Sequence, residues 1–383
     1  MKNKFLYIVI IVSMVSSHYN GSFAQNESDI MHTDVVLDSI TIGKDSIKDY
    51  KPTFNAYPYA FYSPETEFAV GAGGIYVFYT AKDSVMFPSK IGFGGYYSTL
   101  KNYKISITPA IYYFENKLFI KAPVSYGFFV DKYWGQGDES LETGNEQYTR
   151  QDFSATLYLQ SPPKIFSADR SGLVIDYNYT EIVDRKDNSL LNDPDLIGAD
   201  GGAILGFGAD LTWESRDNIF FPNSGGYQYF KFLYYAPIID DYKFIDIELD
   251  VRHYWAIKED QVIAANFFLK SVSGDVPFYK TSALGGSQRM RGYFYGRYRD
   301  NTYAMIQAEY RQYFWKRFGF VAFGSLGNVA ERLVDYDFET IKYSYGGGLR
   351  YLFNKKQKIN LRMDIGIGQD GNTGIYFGIE EAF

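Results

Sequence analysis

The stretch from Ile245 to Arg252 reads IDIELDVR, and it alternates without a break between an apolar and a charged residue. In a β-strand successive side chains point to opposite faces, so the apolar side chains share one face and the charges share the other. A helix would mix the two sets, because its repeat is about 3.6 residues. The stretch therefore predicts a strand with one apolar face and one strongly polar face.

The same alternation recurs along the chain, for example at Tyr103–Thr108 and Ile359–Ile367. We count about sixteen such segments, an even number that is typical of bacterial single-chain transmembrane barrels. No convincing helical pattern follows residue 25. The predicted strands lie near 54–63, 68–80, 89–100, 103–115, 117–130, 149–161, 171–184, 202–215, 225–237, 242–257, 260–274, 302–315, 317–329, 340–353, 358–368 and 374–383.

The connections between these segments fall into two groups. Those after the fifth, seventh and eleventh segments are long, at 131–148, 185–201 and 275–301. Connections after even-numbered segments are mostly shorter, such as Lys258-Glu259 and Lys316. Long loops at one end and short turns at the other are the layout of an outer-membrane β-barrel. We therefore predict an all-β fold, a single transmembrane antiparallel barrel.

The first residues have the layout of a secretory signal peptide. A short basic start precedes an apolar run from Phe5 to Val15, and Ser22-Phe23-Ala24 is a small-x-small cleavage signal. The apolar run is too short to span a bilayer as a helix. We expect residues 1–24 to be a signal peptide that directs the chain out of the cytoplasm.

The rest of the chain divides into two parts. Residues 25–53 are polar and weakly patterned, and we expect a short periplasmic tail. Residues 54–383 contain all the alternating segments with no linker between them, and we expect them to form one barrel domain. We expect this barrel to lie in the bacterial outer membrane and to contact outer-membrane lipid.

Composition decides between a soluble exported protein and a membrane barrel. The mean hydropathy of −0.25 favours a soluble protein, but a polar lumen offsets lipid-facing residues in this average. The chain holds 37 Tyr, 32 Phe and 36 Gly, and aromatic residues suit strands and membrane interfaces. It has no Cys, so disulfides cannot hold it together. A net charge of −7 argues against a nucleic-acid partner.

The long connection from Gly285 to Asn301 reads GGSQRMRGYFYGRYRDN and holds four arginines in an acidic chain. It has neither the alternation of a strand nor the spacing of an amphipathic helix. A solvated basic loop outside the cell would account for these charges at little energetic cost. A loop inside a lumen would instead need carboxylates to pair with the arginines.

Four sequence motifs resemble the barrel domain of the bacterial surface antigen family, the superfamily that includes BamA, TamA and the two-partner-secretion translocators. The resemblance covers roughly residues 54–383. The motifs are LGGSQRMRGY at Leu284–Tyr293, the turn residues Glu214, Arg216, Asp217, Pro222 and Gly225, the pair of segments Gly348–Tyr351 and Leu361–Asp364, and the aromatic Phe383.

The resemblance implies that the long loop folds into the barrel lumen, where its arginine meets acidic groups on the wall. The lumen-loop residues would be Arg289, Arg291, Gly292 and Tyr293. Where the family has its wall Asp, this chain has Ser325, so we expect another acid to pair with Arg291. The candidate wall partners of the loop are Glu309, Asp364, the nearby Arg362, and Ser325.

The other motifs also carry expectations. The Glu214–Gly225 segment resembles the family's periplasmic turn, and we expect a structural role because Asp-Asn and Pro-x-x-Gly build tight connections. Phe383 resembles the terminal aromatic of the signal that the outer-membrane assembly machinery reads, although Glu381 stands where that signal has an apolar residue. We expect no periplasmic POTRA domain before residue 54, because each such domain in the family is much longer than the tail at 25–53.

Enzyme chemistry finds little support. The sequence holds three His, and no G-x-S-x-G motif is present. One of the three histidines, His253, continues the outward face of a predicted strand towards Trp255, which suits a membrane interface. The acidic residues from Asp193 to Asp200 do not have EF-hand spacing. We expect no catalytic residue, no metal and no cofactor.

The resemblance implies a role in inserting proteins into the outer membrane or moving them across it. Its partners would be unfolded outer-membrane or secreted proteins, and a periplasmic or lipoprotein partner. In that family the first and last strands of the barrel pair weakly, and this seam opens to admit substrate strands. Here the seam would join the strands near 54–63 and 374–383. Gly374 and Gly378 suit a weak seam, because glycine packs poorly in a strand. The alternatives are a structural or passive-channel subunit of a larger complex, and a barrel-embedded lipid hydrolase.

Overall fold

The computed structural model describes residues 50–82, 86–142, 144, 146–162, 165–186, 188–218, 221–354 and 359–383. The predicted signal peptide at 1–24, and the predicted tail from residue 25 up to residue 49, lie outside the described residues. In the part of the chain that is described, no helix has the length and apolar character needed to cross a bilayer.

Strands make up most of the described chain, and their bounds follow the alternating segments of the sequence closely. They are β1 (Thr53–Ser63), β2 (Glu67–Phe78), β3 (Ser89–Ser98), β4 (Tyr103–Tyr113), β5 (Leu118–Lys121), β6 (Val124–Lys132), β7 (Gln147–Ser161), β8 (Arg170–Asp184), β9 (Gly201–Glu214), β10 (Gly225–Ala236), β11 (Phe244–Lys258), β12 (Gln261–Gly274), β13 (Ser282–Leu284), β14 (Tyr298–Asp300), β15 (Thr302–Trp315), β16 (Phe318–Ala330), β17 (Lys342–Asn354), β18 (Ile359–Gly368) and β19 (Thr373–Ile379).

The large sheet closes on itself as an antiparallel barrel. Each strand pairs with its neighbours in the chain, and β1 pairs with both β2 and β19. The sheet has 17 strands when β5 and β6 are counted apart. Both lie between β4 and β7, so they are one interrupted barrel strand, and 17 − 1 gives 16. The predicted fold class is confirmed.

The alternation in IDIELDVR explains how each strand is oriented. Asp246, Asp250 and Arg252 are buried on the inner face of β11. Ile245 and Trp255 lie on the other face and are exposed at the outer surface, which faces lipid in a transmembrane barrel. The barrel therefore has an apolar outer surface and a polar lumen.

The contact between β1 and β19 differs from every other contact in the barrel. Among the described residues, one Cα pair joins the two strands, Tyr62 with Phe377. By contrast, β1 pairs with β2 at 11 positions and β18 pairs with β19 at seven. The prediction that the last strand runs to residue 383 is wrong, because β19 ends at Ile379 and Glu380 has a left-handed φ of 69°.

Candidate functional site

The connection between β12 and β15 contains a small hairpin that the sequence did not predict. Its strands, β13 and β14, pair over three residues and form a separate two-stranded sheet. Apolar side chains of this connection are buried against inward-facing residues of the barrel wall. This cluster comprises Leu284, Met290, Tyr293 and Tyr298 from the connection, and Phe268, Tyr303, Met305 and Val329 from the wall. The connection therefore lies against the inner surface of the barrel.

Two glycines let the loop backbone approach the wall closely. Gly292 has a φ of 118°, which L side chains rarely adopt. A Cβ on Gly366 of β18 would lie 2.5 Å from the backbone of Arg291, so a side chain there would displace the loop. Gly366 is a site residue that sequence reasoning missed, because a glycine in a strand does not reveal what lies against it.

Arg291 lies at the centre of this contact and is almost fully buried. Its guanidinium donates to Asp364 at 2.6 Å and to Glu309, so it forms ion pairs with both acids that the sequence singled out. The guanidinium also lies 3.5 Å from the ring centroid of Phe323. The two carboxylates and the aromatic face offset much of the cost of burying the Arg291 guanidinium.

The two acids bind further arginines from the wall. Arg311 donates to Glu309 at 2.8 Å, and Arg350 donates to Asp364. Arg362, on the same strand as Asp364, has its Nε 3.9 Å from an Asp364 oxygen. Arg291, Arg311, Arg350 and Arg362, together with Glu309 and Asp364, form what we call the lumen network.

Ser325 takes no part in the lumen network. Its hydroxyl lies 2.6 Å from the Ser344 hydroxyl on the adjacent strand β17. The sequence analysis expected an acid other than the residue at position 325 to pair with Arg291, and the partners of Arg291 are Glu309 and Asp364. Ser325 and Ser344 form a hydroxyl pair at the position where the family has its wall Asp. Arg291 pairs instead with carboxylates on β15 and β18.

A second loop arginine pairs with a different strand of the wall, β11. Arg289 donates to Asp250 at 3.0 Å and lies 3.6 Å from the centroid of the Phe268 ring. Asp250 also accepts from Arg252 at 2.6 Å. The carboxylates of the IDIELDVR strand thus bind both a loop arginine and a wall arginine.

The loop tip contacts elements on both sides of the weak seam. On the β19 side, the Gly292 N–H donates to the Tyr376 hydroxyl at 3.0 Å, and the Gln369 N–H donates to the Tyr293 hydroxyl at 2.9 Å. On the β1 side, the Tyr295 N–H donates to Glu65 at 2.9 Å. Glu65 lies in the turn between β1 and β2, and burial raises the pKa of its carboxyl. The loop therefore bridges the seam from inside the barrel.

The predicted periplasmic turn is a compact hydrogen-bonded connection between β9 and β10. Glu214 and Arg216 form a bidentate ion pair, and Asp217 accepts from the Asn223 and Ser224 N–H groups. Gly225 has a φ of 91°. Pro222 is buried in the same turn. These contacts are those of a structural turn.

Residues 380–383 leave the sheet and enter the lumen. Glu381 accepts from Arg350 and from Asn360, each at 2.7 Å. Phe383 is buried with Tyr254, Val262 and Ala264, and its main-chain oxygen accepts from Arg311 at 2.7 Å. The structure thus puts Phe383 inside the barrel, and its predicted role as an assembly signal stays a prediction.

The opposite side of the lumen keeps a polar cavity of about 260 Å³ between the loop and the wall. Its lining includes Lys104, Asp152, Lys231, Glu248 and Lys270. Within the described ranges, no group of three or more His, Asp or Glu is placed to hold a metal ion.

His253 is exposed on the outer face of β11, with its ring centroid 4.5 Å from that of Trp255. The alternation predicted this outward-facing position, and its location at the membrane interface stays a prediction. Among the described residues, no contact links His253 to the lumen network.

A closed sixteen-stranded antiparallel barrel, apolar outside and charged inside, is a transmembrane β-barrel of the outer-membrane type. Residues 88–383 match the Omp85 superfamily domain, and the chain belongs to the Omp85 superfamily. The family and the barrel together imply a protein of the bacterial outer membrane. The resemblance inferred from the loop and turn motifs is confirmed.

Solved structures share this fold at low sequence identity. BamA from Haemophilus ducreyi lacking POTRA domains 1–3 is 12% identical, with a TM-score of 0.61 over 86% of this chain and 70% of that chain. CdiB from Acinetobacter baumannii is 10% identical, with a TM-score of 0.55 over 87% of this chain and 60% of that chain. CdiB from Escherichia coli is 10% identical, with a TM-score of 0.56 over 87% of this chain and 63% of that chain. Among curated proteins, no sequence matches this chain.

Proposed function

We propose that this barrel inserts polypeptides into the bacterial outer membrane or moves them across it, and that it does so by opening the seam between β1 and β19. Its partners are outer-membrane lipid, unfolded outer-membrane or secreted proteins, and a periplasmic or lipoprotein partner. We propose no catalytic residue, because the work is conformational.

The observation that carries the proposal is the single Cα pair between Tyr62 and Phe377. A strand edge with few backbone partners exposes unpaired N–H and C=O groups, and it is a template for an incoming strand. In β1, the residues from Thr53 to Phe61 pair with β2 on one side, and no paired residue of β19 faces them. This edge of β1 can therefore accept a strand of a client protein.

The docked loop supports the proposal because it holds the closed state. The seam has one backbone pair. The hydrogen bonds of Gly292 with Tyr376 on β19, and of Tyr295 with Glu65 in the β1–β2 turn, therefore supply much of the connection across it. Hydrogen bonds of this kind contribute about 1 kcal/mol each, so opening the seam costs less than separating β1 from β2, which pair at 11 positions.

The test is a reversible lock on the seam. The chain has no Cys, so the double variant Tyr62→Cys/Phe377→Cys has one pair of thiols, on directly opposed residues. In proteoliposomes, we expect the oxidised variant to lose stimulation of barrel insertion or polypeptide transport and to regain it on reduction. Unchanged activity in the oxidised state would refute opening at this seam.

The matched control is Tyr62→Cys/Phe68→Cys, which joins β1 to β2 within a continuous ladder. Its oxidation should leave activity unchanged. The passive-channel alternative makes a different prediction: the purified protein conducts ions and never stimulates insertion or transport, whether its seam is locked or free.

A further inference from the structure

The cavity of about 260 Å³ in the lumen has one side made by the loop and the other side made by the sheet. The loop contributes Ser287, Gln288 and Arg289. On the sheet side, the lining extends from Asn102 in the β3–β4 turn to Lys231 in the middle of β10. An odd number of barrel strands precedes the β3–β4 turn and each long connection, so these lie at the same end. Long loops are extracellular in outer-membrane barrels, and the cavity therefore reaches towards the outside of the cell.

A row of four inward-facing side chains crosses the sheet side of this cavity. Lys231 on β10 is directly opposite Glu248 on β11. Glu248 is in turn opposite Lys270 on β12, and Lys270 is opposite Tyr303 on β15. All four side chains line the cavity. Neighbouring strands lie about 4.8 Å apart, so the row spans about 14 Å and sets charges of alternating sign side by side.

Two buried polar atoms on this side of the cavity lack hydrogen bonds. Within the described residues, the Oδ1 of Asp246 and the hydroxyl of Tyr303 are buried and have no hydrogen-bond partner. Both residues are more than nine-tenths buried, and both line the cavity. A buried polar atom without a partner is costly, and native proteins contain few of them. A polar molecule in the cavity would supply the missing hydrogen bonds.

The charges of the row are already balanced within the wall. The Lys231 Nζ lies 3.1 Å from a Glu248 oxygen, and the Lys270 Nζ lies 3.7 Å from the Asp246 Oδ2. A charged ligand would break one of these pairs or lie beside a charge of its own sign. A hydroxyl group is both a donor and an acceptor, so it can donate to Asp246 and accept from Tyr303 with both ion pairs intact. The cavity therefore fits a neutral ligand with several hydroxyl groups.

The volume and the aromatic lining of the cavity narrow the class of ligand further. Drug-sized molecules occupy pockets of about 300–1,000 Å³, so a cavity of about 260 Å³ suits a smaller molecule. Its lining also includes the rings of Tyr96, Tyr158 and Tyr295. Aromatic rings provide apolar surface on which the C–H face of a sugar ring can pack. A linear polyol has hydroxyl groups but no such face.

We propose that this cavity binds a free neutral monosaccharide that enters from the extracellular end of the barrel. Asp246, Lys270 and Tyr303 bind its hydroxyl groups, and the aromatic lining packs against its ring. The loop forms the other side of the cavity, so a bound sugar contacts both the loop and the wall and stabilises the docked loop. The site lies apart from the seam and is a second activity of the barrel.

The first experiment titrates the full-length protein with D-glucose, D-galactose, D-mannose and N-acetyl-D-glucosamine in a detergent without a sugar headgroup. Saturation-transfer-difference NMR measures the binding. We expect saturable binding of at least one of these sugars, and binding about tenfold weaker for the cationic glucosamine, the anionic glucuronate and the linear mannitol. If none of the neutral sugars saturates, or if a charged probe or zwitterionic glutamine binds as tightly, the proposal is wrong.

The second experiment removes one hydroxyl from the cavity. Tyr303→Phe keeps the ring and should weaken binding of the sugar about fivefold, the effect of one neutral hydrogen bond. The matched control is Tyr254→Phe, since within the described residues the Tyr254 hydroxyl is also buried without a partner but does not line the cavity. Equal affinities of the two variants would overturn the proposed site. Neither experiment involves insertion or transport, so the sugar site and the proposed function can fail independently.

Discussion

At the scale of the residue, the lumen network explains why an acidic chain keeps arginines in one loop. Arg291 is matched with Glu309 and Asp364, and each of these acids also binds a wall arginine. The sequence placed both acids on inward faces, because alternation assigns every strand residue to a face. It could not predict that one arginine would bind both, because that depends on how far the loop enters the barrel.

Removing Arg291 would leave two buried carboxylates short of a partner. We expect Arg291→Ala to lower the free energy of unfolding by about 3–5 kcal/mol, the cost typical of breaking a buried ion pair. Urea unfolding of the detergent-solubilised protein measures this loss. The control is Arg332→Ala, which removes an exposed ion pair with Asp335 and should leave stability unchanged. Equal effects of the two variants would contradict the role of burial.

At the scale of the element, the strands were predictable and their exceptions were not. Alternation located all sixteen barrel strands, yet β19 stops at Ile379 because Glu381 and Phe383 find partners in the lumen. The β13–β14 hairpin was also missed, since three-residue strands are too short to show a period. Local pattern predicts an element, while its end is decided by distant contacts.

The turn between β1 and β2 should make the stability of the barrel sensitive to pH. Burial raises the pKa of Glu65, and the nearby Asp131 raises it further, while Ser63 and the Tyr295 N–H lower it. A raised pKa means that the folded state binds the proton more tightly than the unfolded chain does. The contribution of Glu65 to stability is therefore greatest at low pH and is lost as pH rises through the raised pKa.

Glu65→Gln cannot ionise, so the free energy of unfolding of the unaltered protein should fall relative to that of Glu65→Gln as pH rises above about 4.3, the ordinary pKa of a glutamate. Urea unfolding of the two detergent-solubilised proteins over this pH range measures the difference. A pH dependence that survives in Glu65→Gln would assign the effect to another group.

At the scale of the whole molecule, the lumen is filled on one side and open on the other. Barrels of about sixteen strands are wide enough to hold an aqueous channel. Here the loop from Gly285 to Arg297 packs against β12, β15, β16 and β18, and a cavity of about 260 Å³ remains between the loop and a wall that runs from β3 to β12. The sequence indicated a polar lumen, but the volume left beside the loop depends on packing that no local pattern records.

Replacing residues 286–295 with a short Gly-Ser linker should therefore increase single-channel conductance in planar bilayers, because the filled side of the lumen becomes aqueous. Replacing residues 332–340, in the connection between β16 and β17, serves as the control and should change conductance little. If both replacements gave the same conductance as the unaltered chain, the loop would not be what narrows the lumen.

The contacts of the loop also determine the order in which the barrel can fold. Glu65 comes from the beginning of the barrel sequence, whereas Glu309, Asp364 and Tyr376 all follow the loop in the chain. The loop cannot complete its contacts until the last hairpin has formed and met the first. A fully docked loop therefore marks a barrel in which the first and the last strands are both in place.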